Sequence, residues 1–233
     1  MTAGSRPRRG ISDRPSNLRL LLVRHGQSEA NHARRMQGQL DSPLTAKGRR
    51  QAQAMARHIA ASGPLDGLYA SPLKRALATA QAIAEQTGVQ PVVLPDLMET
   101  DIGEAMGLTW DEFVWRWPEH AAHIRSGSPD ARWPGGESRR ELAERAARAM
   151  DVIVSRHPDG GVVAVVSHGG TLRWAVARLM AGTPLAHPDH RFDNCAITEV
   201  VLLGNGEKLI ACTNDSSHLA ELEEEEAHSD QVP

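Results

Sequence analysis

Leu18-Arg19-Leu20-Leu21-Leu22-Val23 runs straight into Arg24-His25-Gly26-Gln27-Ser28-Glu29-Ala30-Asn31, and Gly161-Val162-Val163-Ala164-Val165-Val166 runs straight into Ser167-His168-Gly169-Gly170. Both runs are almost wholly apolar, which fits strands buried on both faces of a sheet. Around them, short apolar runs alternate with helical patterns. Thr45 is placed as the N-cap of a helix reaching Ala61. Gly67–Ala70 reads as a short strand, and Ser71-Pro72 then supplies an N-cap and an N1 proline for a helix ending near Gln86. Val92–Leu94 reads as a further strand. Thr109-Trp110-Asp111-Glu112 and Ser138-Arg139-Arg140-Glu141 match the S/T-x-x-E capping box, so a helix should start at each. Gly170–Met180 reads as a helix. Ala196–Leu203 and Lys208–Cys212, joined across Gly204-Asn205-Gly206, read as a hairpin at the sheet edge. The expected fold class is α/β, a three-layer αβα sandwich whose sheet is mostly parallel with an antiparallel edge strand.

In such sheets ligands bind at the carboxyl ends of the strands. Two strands here each end in His-Gly. A buried imidazole needs partners, and the adjoining glycine lets backbone and ligand come close. Arg24 precedes His25; its side chain alternates to the other side of the chain, but at a strand end both can converge on the crevice. Arg75 falls in the first turn of the helix after Ser71-Pro72. A cation there opposes the helix dipole, and a bound anion would reconcile the two. Glu99 follows Pro95-Asp96-Leu97-Met98 and can reach the same crevice. Two histidines, two arginines and one carboxylate make phosphate the natural ligand, because guanidinium forks match its oxygens. A neutral imidazole held by its other nitrogen is a competent nucleophile toward phosphorus. Fixed cations then stabilise the charge on the transferred group. This chemistry requires no metal, and the chain carries no HExxH, Walker glycine loop or Asp-rich cation loop. His187 and His190, in a Pro-rich turn, read as surface residues.

Composition narrows the classes further. The chain has 233 residues, 40% of them hydrophobic, enough for one domain with a sizeable core. A net charge of −3 leaves no basic excess for nucleic acid or anionic lipid. No apolar run approaches the ~18–20 residues of a membrane span. Cys195 and Cys212 suggest neither a disulfide framework nor a zinc knuckle. The basic N-terminus has no apolar segment of signal-peptide length behind it, which points to the cytoplasm. Residues 1–17 read as a flexible leader and 220–233 as an acidic flexible tail, with one domain over 18–219 between them. The expected partner is a small-molecule phosphomonoester, with no nucleic acid and no membrane; a homodimer through an edge strand stays open.

Leu22-Val23-Arg24-His25-Gly26-Gln27-Ser28-Glu29-Ala30-Asn31 resembles the signature of the histidine phosphatase superfamily, in the branch that includes cofactor-dependent phosphoglycerate mutases. The likeness continues through Arg35-Met36-Gln37-Gly38, Asp41-Ser42-Pro43-Leu44-Thr45 and Gly48. It returns at Tyr69-Ala70-Ser71-Pro72-Leu73-Lys74-Arg75-Ala76, Leu97-Met98-Glu99, Gly135-Gly136-Glu137-Ser138 and Val166-Ser167-His168-Gly169-Gly170. It spans residues 18–219. The resemblance implies that His25 is the nucleophile and becomes a phosphohistidine. It implies that Arg24, Arg75 and His168 bind the phosphoryl oxygens, and that Glu99 protonates the leaving alkoxide and then activates water. Asn31 and the Gly169 amide look like further phosphate contacts, and Gln37 and Gly38 would lie in the flanking loop. It implies no metal and no organic cofactor, and a histidine acid phosphatase-type phosphomonoesterase.

One departure stands out. Where related phosphatases often read Gly-x-Trp-Glu-Gly after the acid, this chain has Ile102-Gly103-Glu104-Ala105-Met106-Gly107. Mutases of the family carry a long insertion between the acid and the Gly-Gly-Glu-Ser region. Here only residues 100 to 134 separate Glu99 from Gly135, which favours hydrolysis over a mutase-type isomerase; an inactive binding protein on the same scaffold is the remaining alternative. That stretch should form a cap over the site. It holds Trp110, Trp115, Trp117 and Trp133, which either pack the cap on the core or wall the leaving group. Arg116, Arg125 and Arg132 could read a second anionic group, surface placement being the simpler reading. A sugar phosphate, a phosphoglycerate derivative, phosphoserine and a cobalamin-pathway nucleotide all stay open as substrates.

Overall fold

The computed structural model describes residues 17–182 and 190–222. His187, residues 1–16 of the expected leader and the acidic tail beyond residue 222 lie outside the described residues. The strands are β1 (Leu18–Arg24), β2 (Gly67–Ala70), β3 (Val92–Val93), β4 (Gly161–Ser167), β5 (Ile197–Leu202) and β6 (Lys208–Asp215). They form one sheet in the order β3-β2-β4-β1-β5-β6. β1, β2, β3 and β4 are parallel; β5 runs against both β1 and β6, so the antiparallel edge is the expected hairpin. The helices are α1 (Glu29–His32), α2 (Ala46–Ala61), α3 (Lys74–Thr87), α4 (Trp110–Arg116), α5 (Pro118–Arg125), α6 (Arg139–Ser155) and α7 (Gly169–Ala181).

The period-two alternation of strand side chains sorts the core into two layers. Leu21 and Val23 of β1, with Ala164 and Val166 of β4, face Met55 and Ile59 of α2 and Ile83 of α3. Leu20 and Leu22, with Val163 and Val165, face Met150 and Ile153 of α6 and Leu172 and Leu179 of α7. Each fully buried Leu, Ile or Met contributes about 1.5–3 kcal/mol. Continuous apolar runs therefore mark central strands covered on both faces. A separate small core forms around Phe113, which packs on Trp110, Trp117 and Trp133 at centroid distances of 5.4, 5.8 and 5.1 Å.

The local signals hold at most helix starts. Thr45 caps α2 by accepting from the Gly48 amide, and both S/T-x-x-E boxes close as capping boxes at α4 and α6. The start of α3 differs from the expectation. Ser71 and Pro72 are not its N-cap and N1; Leu73 is the N-cap and makes no side-chain cap bond. The exposed amide of Lys74 is satisfied instead by Asp41 Oδ1, 2.7 Å away and 33 residues earlier in sequence. A cap from a distant loop releases Ser71 for other work. The strand at Val92–Leu94 is shorter than expected, only two exposed residues at the sheet edge.

Candidate active site

Strand register builds the centre of the site. β1 and β4 pair in parallel with Arg24 opposite Ser167, so the next residues, His25 and His168, leave the sheet side by side. Their ring centroids are 5.0 Å apart. The His25 amide donates to the Ser167 carbonyl (3.0 Å), extending the ladder one step past the strand.

Hydrogen bonds fix the tautomer of His25. Arg75 Nε donates to His25 Nε2 (3.1 Å). Guanidinium is a donor only, so Nε2 is unprotonated and the ring proton sits on Nδ1, which donates to the Gly26 carbonyl (2.7 Å). Burial pushes the His25 pKa well below the ordinary histidine value, and the charges of Arg24 and Arg75 push it the same way. The ring is neutral, with its nitrogen lone pair facing a cation.

His168 is fully buried, and burial, with His25 and the nearby arginines, lowers its pKa well below the ordinary value as well. Its Nε2 lies 2.8 Å from Ser71 Oγ. Ser71 Oγ accepts from the Leu73 amide and keeps its hydroxyl hydrogen; when that hydrogen is donated to Nε2, the ring proton sits on Nδ1. His168 Nδ1 is buried and has no hydrogen-bond partner among the described residues.

Two arginines flank the pair, Arg75 buried and Arg24 half-buried. Arg75, 1% exposed, donates to the carbonyls of Leu40 and Gly38, both at 2.7 Å. Arg24 donates to the Phe192 carbonyl (2.7 Å), while its Nε is buried without a partner. Neither makes an ion pair among the described residues. Burial lowers both pKa values, that of Arg75 to about 10, which leaves Arg75 charged at neutral pH. Each orphaned donor costs about 1–3 kcal/mol unless a ligand satisfies it.

Glu99 sits beside this cluster, close enough for its charge to act on both arginines. Its Oε1 accepts from the Thr100 amide (2.9 Å) and its Oε2 from the Gly170 amide (3.1 Å). The loop that carries it is held by Arg145 of α6. Arg145 donates to the carbonyls of Asp96, Met98 and Glu99 and forms a mostly buried ion pair with Glu137 (2.7 Å). Glu137 in turn accepts from the Asp101 amide (2.8 Å). The Gly135-Gly136-Glu137-Ser138 segment thus works as a brace for the acid.

The remaining expected residues fall around this centre. Asn31 Oδ1 accepts from the Ser28 amide (3.3 Å), which leaves Nδ2 as its donor end. Gln37 accepts from the Ser28 hydroxyl (2.7 Å). Gly38 has φ of 49°, and a Cβ there would press on Ile102 and the Thr100 carbonyl; its carbonyl holds Arg75. Gly169 opens α7 beside Arg24. Residues that sequence reasoning passed over also take part. Ser71 holds His168, Gly170 holds Glu99, and Asn194 Nδ2 donates to the His25 carbonyl (2.8 Å). A signal existed for Ser71, which follows a strand adjacent to β4; Asn194 offered none.

The cap residues divide. Trp110, Trp117 and Trp133 pack on Phe113, whereas Trp115 is 85% exposed. Arg116 stacks on Trp117, and Arg132 pairs with Glu141 (2.6 Å). Arg125 lies over the Trp110 ring (5.1 Å) and lines a cleft of about 400 Å³ shared with Thr100 and Gly170, the two residues holding the Glu99 carboxylate. Ala105, one of the departures, is buried in the small core, and Met106 is exposed. His190 is half-buried and gives its carbonyl to Arg173. Among the described residues no group of three or more His, Cys, Asp or Glu is placed to hold a metal ion, and no helix is long and apolar enough to cross a membrane.

A model of the histidine phosphatase superfamily (branch 1) matches residues 20–215. A Proteus mirabilis protein named a probable phosphoglycerate mutase GpmB is 36% identical over 215 residues, 88% of this chain and 96% of that one. A metal-independent phosphoserine phosphatase of Arabidopsis thaliana is 36% identical, over 86% of this chain and 83% of that one. The solved structure of a mycobacterial glucosyl-3-phosphoglycerate phosphatase aligns with a TM-score of 0.73 at 31% identity, over 86% of this chain and all of that one.

Proposed function

The chain belongs to the histidine phosphatase superfamily, branch 1, and from that premise we propose that it is a metal-independent phosphomonoester hydrolase acting through phospho-His25 on a small phosphorylated metabolite. The observation that carries this reading is the neutral His25, its Nε2 facing the Arg75 guanidinium, with the half-buried Arg24 beside it and neither arginine paired to a carboxylate among the described residues. Phosphate matches that excess of donors in both charge and geometry.

In this mechanism Nε2 attacks phosphorus while Nδ1–H stays on the Gly26 carbonyl, which orients the ring and stabilises the cation that forms. The P–O bond to the alcohol breaks, and its oxygen takes a proton from Glu99. Arg24, Arg75 and His168 Nδ1–H hold the equatorial oxygens through the transfer. Water then gives a proton to Glu99 and attacks the phosphorus. The N–P bond breaks, which returns neutral His25 and releases inorganic phosphate. The short stretch between Glu99 and Gly135 supports water, rather than a second hydroxyl of a bound metabolite, as the acceptor.

The test is phosphate release from an aryl phosphate, 3-phosphoglycerate, phosphoserine, sugar phosphates and a nucleotide, in EDTA, with His25→Ala as the blank. We expect His25-dependent release, lowered at least about 10⁴-fold in the variant, and an alkali-stable phosphohistidine in the wild type. Interconversion of phosphoglycerates dependent on a bisphosphate primer, with no net phosphate, would assign a mutase instead.

A further inference from the structure

The cleft beyond Glu99 contains a second basic cluster. Arg139, the first residue of α6, and Arg173, one turn past Gly169 on α7, line it together with Arg125 of α5. Trp133 and Trp174 form part of its wall, and no acidic residue lines it among the described residues. Arg139 donates to the Ile124 carbonyl (2.5 Å) and Arg173 to the His190 carbonyl (2.8 Å). Each guanidinium is thus anchored through one of its five N–H groups. Burial lowers the Arg139 pKa, and the charge of Arg173 across the cleft lowers it further.

The position of this cluster relative to the reaction matters. The phosphoryl group belongs among His25, His168, Arg24 and Arg75. The alcohol it leaves must depart past Glu99, and Thr100 and Gly170, whose amides hold the Glu99 carboxylate, also line the cleft. A volume of about 400 Å³ is in the range that holds a whole small ligand. Resting on the hydrolase reading above, we propose that the alcohol portion of the substrate carries a second oxyanion, which docks on Arg139 and Arg173 with Arg125 lining the same cleft. The enzyme then selects phosphomonoesters of acidic alcohols over those of neutral ones.

The experiment compares three aryl esters of nearly equal leaving-group acidity: 4-(carbamoylmethyl)phenyl phosphate, 4-(carboxymethyl)phenyl phosphate and 4-(phosphonomethyl)phenyl phosphate. The wild-type kcat/KM should be about tenfold or more higher for at least one acidic ester than for the amide, chiefly through KM. Which acid is preferred distinguishes a carboxylate from a phosphate as the natural group. In Arg139→Gln and Arg173→Gln the ratio of acid to amide should fall toward one. Equal kcat/KM for all three esters in the wild type would overturn the inference and leave the hydrolase standing. No phosphate from any of them would overturn the hydrolase reading and this inference with it.

Discussion

The two halves of the substrate site are built by different means. The phosphoryl half lies at the carboxyl ends of β1 and β4, where strand register alone sets His25 beside His168. Of its arginines Arg75 is buried and Arg24 half-buried, and main-chain carbonyls of Leu40, Gly38 and Phe192 hold them in place. The leaving-group half is assembled from α5, α6 and α7, and Arg125 and Arg173 are exposed in an open cleft. The comparison teaches that the histidine pair is placed by sheet geometry, which tolerates little change, while the proposed leaving-group cleft is lined by helix side chains that can vary without disturbing the sheet. Glu99 stands on the border and is held from both sides.

The sharpest way to test that border is Glu99→Gln. Hydrolysis of alkyl phosphates should fall by about 10²–10⁴-fold, while aryl phosphates, whose leaving groups need little protonation, should slow far less. Rates read over a series of leaving-group pKa values check this, and equal slowing of both classes would remove Glu99 from the acid role.

A smaller effect separates the two glycines at the start of α7. A Cβ on Gly170 would collide with Glu99 Oε1, whereas one on Gly169 would meet Arg24 at 3.8 Å, an ordinary contact. Gly170→Ala should therefore lower kcat/KM by about 10²-fold, because displacing a catalytic group by an ångström costs that much. Gly169→Ala should stay near the wild type. Steady-state rates with one ester and a thermal melt of each variant decide it; parallel losses would place Gly169 in the same tight contact.

The smallest effect lies in stability rather than rate. His25 and His168 have depressed pKa values in the fold, whereas in the unfolded chain they titrate near 6.5. Below that pH the unfolded chain binds protons that the fold refuses, so stability is flat above about pH 6.5 and is lost as the pH falls beneath it. Each ring costs roughly 1 kcal/mol per pH unit in that window. Urea midpoints between pH 7.5 and 5.5 should show this slope, and His168→Asn should lessen it. An unchanged slope in the variant would mean that groups outside the phosphoryl half dominate the acid response.

Much of the phosphoryl half was legible because its signals are local. An apolar run of six residues states a strand buried on both faces, and the residues that follow it must lie at the sheet's rim. That places Arg24, His25 and His168 before any contact is known, and Arg75 follows from the turn after β2. The cap was legible only as a length and a tryptophan content. Three of its tryptophans serve the small core around Phe113, and the one at position 115 is exposed. Of the three arginines considered there, only Arg125 reaches the cleft. Arg139 and Arg173 were hidden inside ordinary helical patterns.

The amino-acid sequence by itself determined the central strands, the capping boxes of α4 and α6, the cap of α2 and which side chains stand at the ends of β1 and β4. These depend on alternation and on contacts three or four residues apart, which a short stretch of chain specifies alone. Tertiary structure decided that Asp41 rather than Ser71 caps α3, that Ser71 lies against His168, that Gly170 holds Glu99, and that Arg139 and Arg173 line one cleft. Those partners are tens of residues apart, and they meet only because burying both faces of the sheet fixes where each helix and loop must lie.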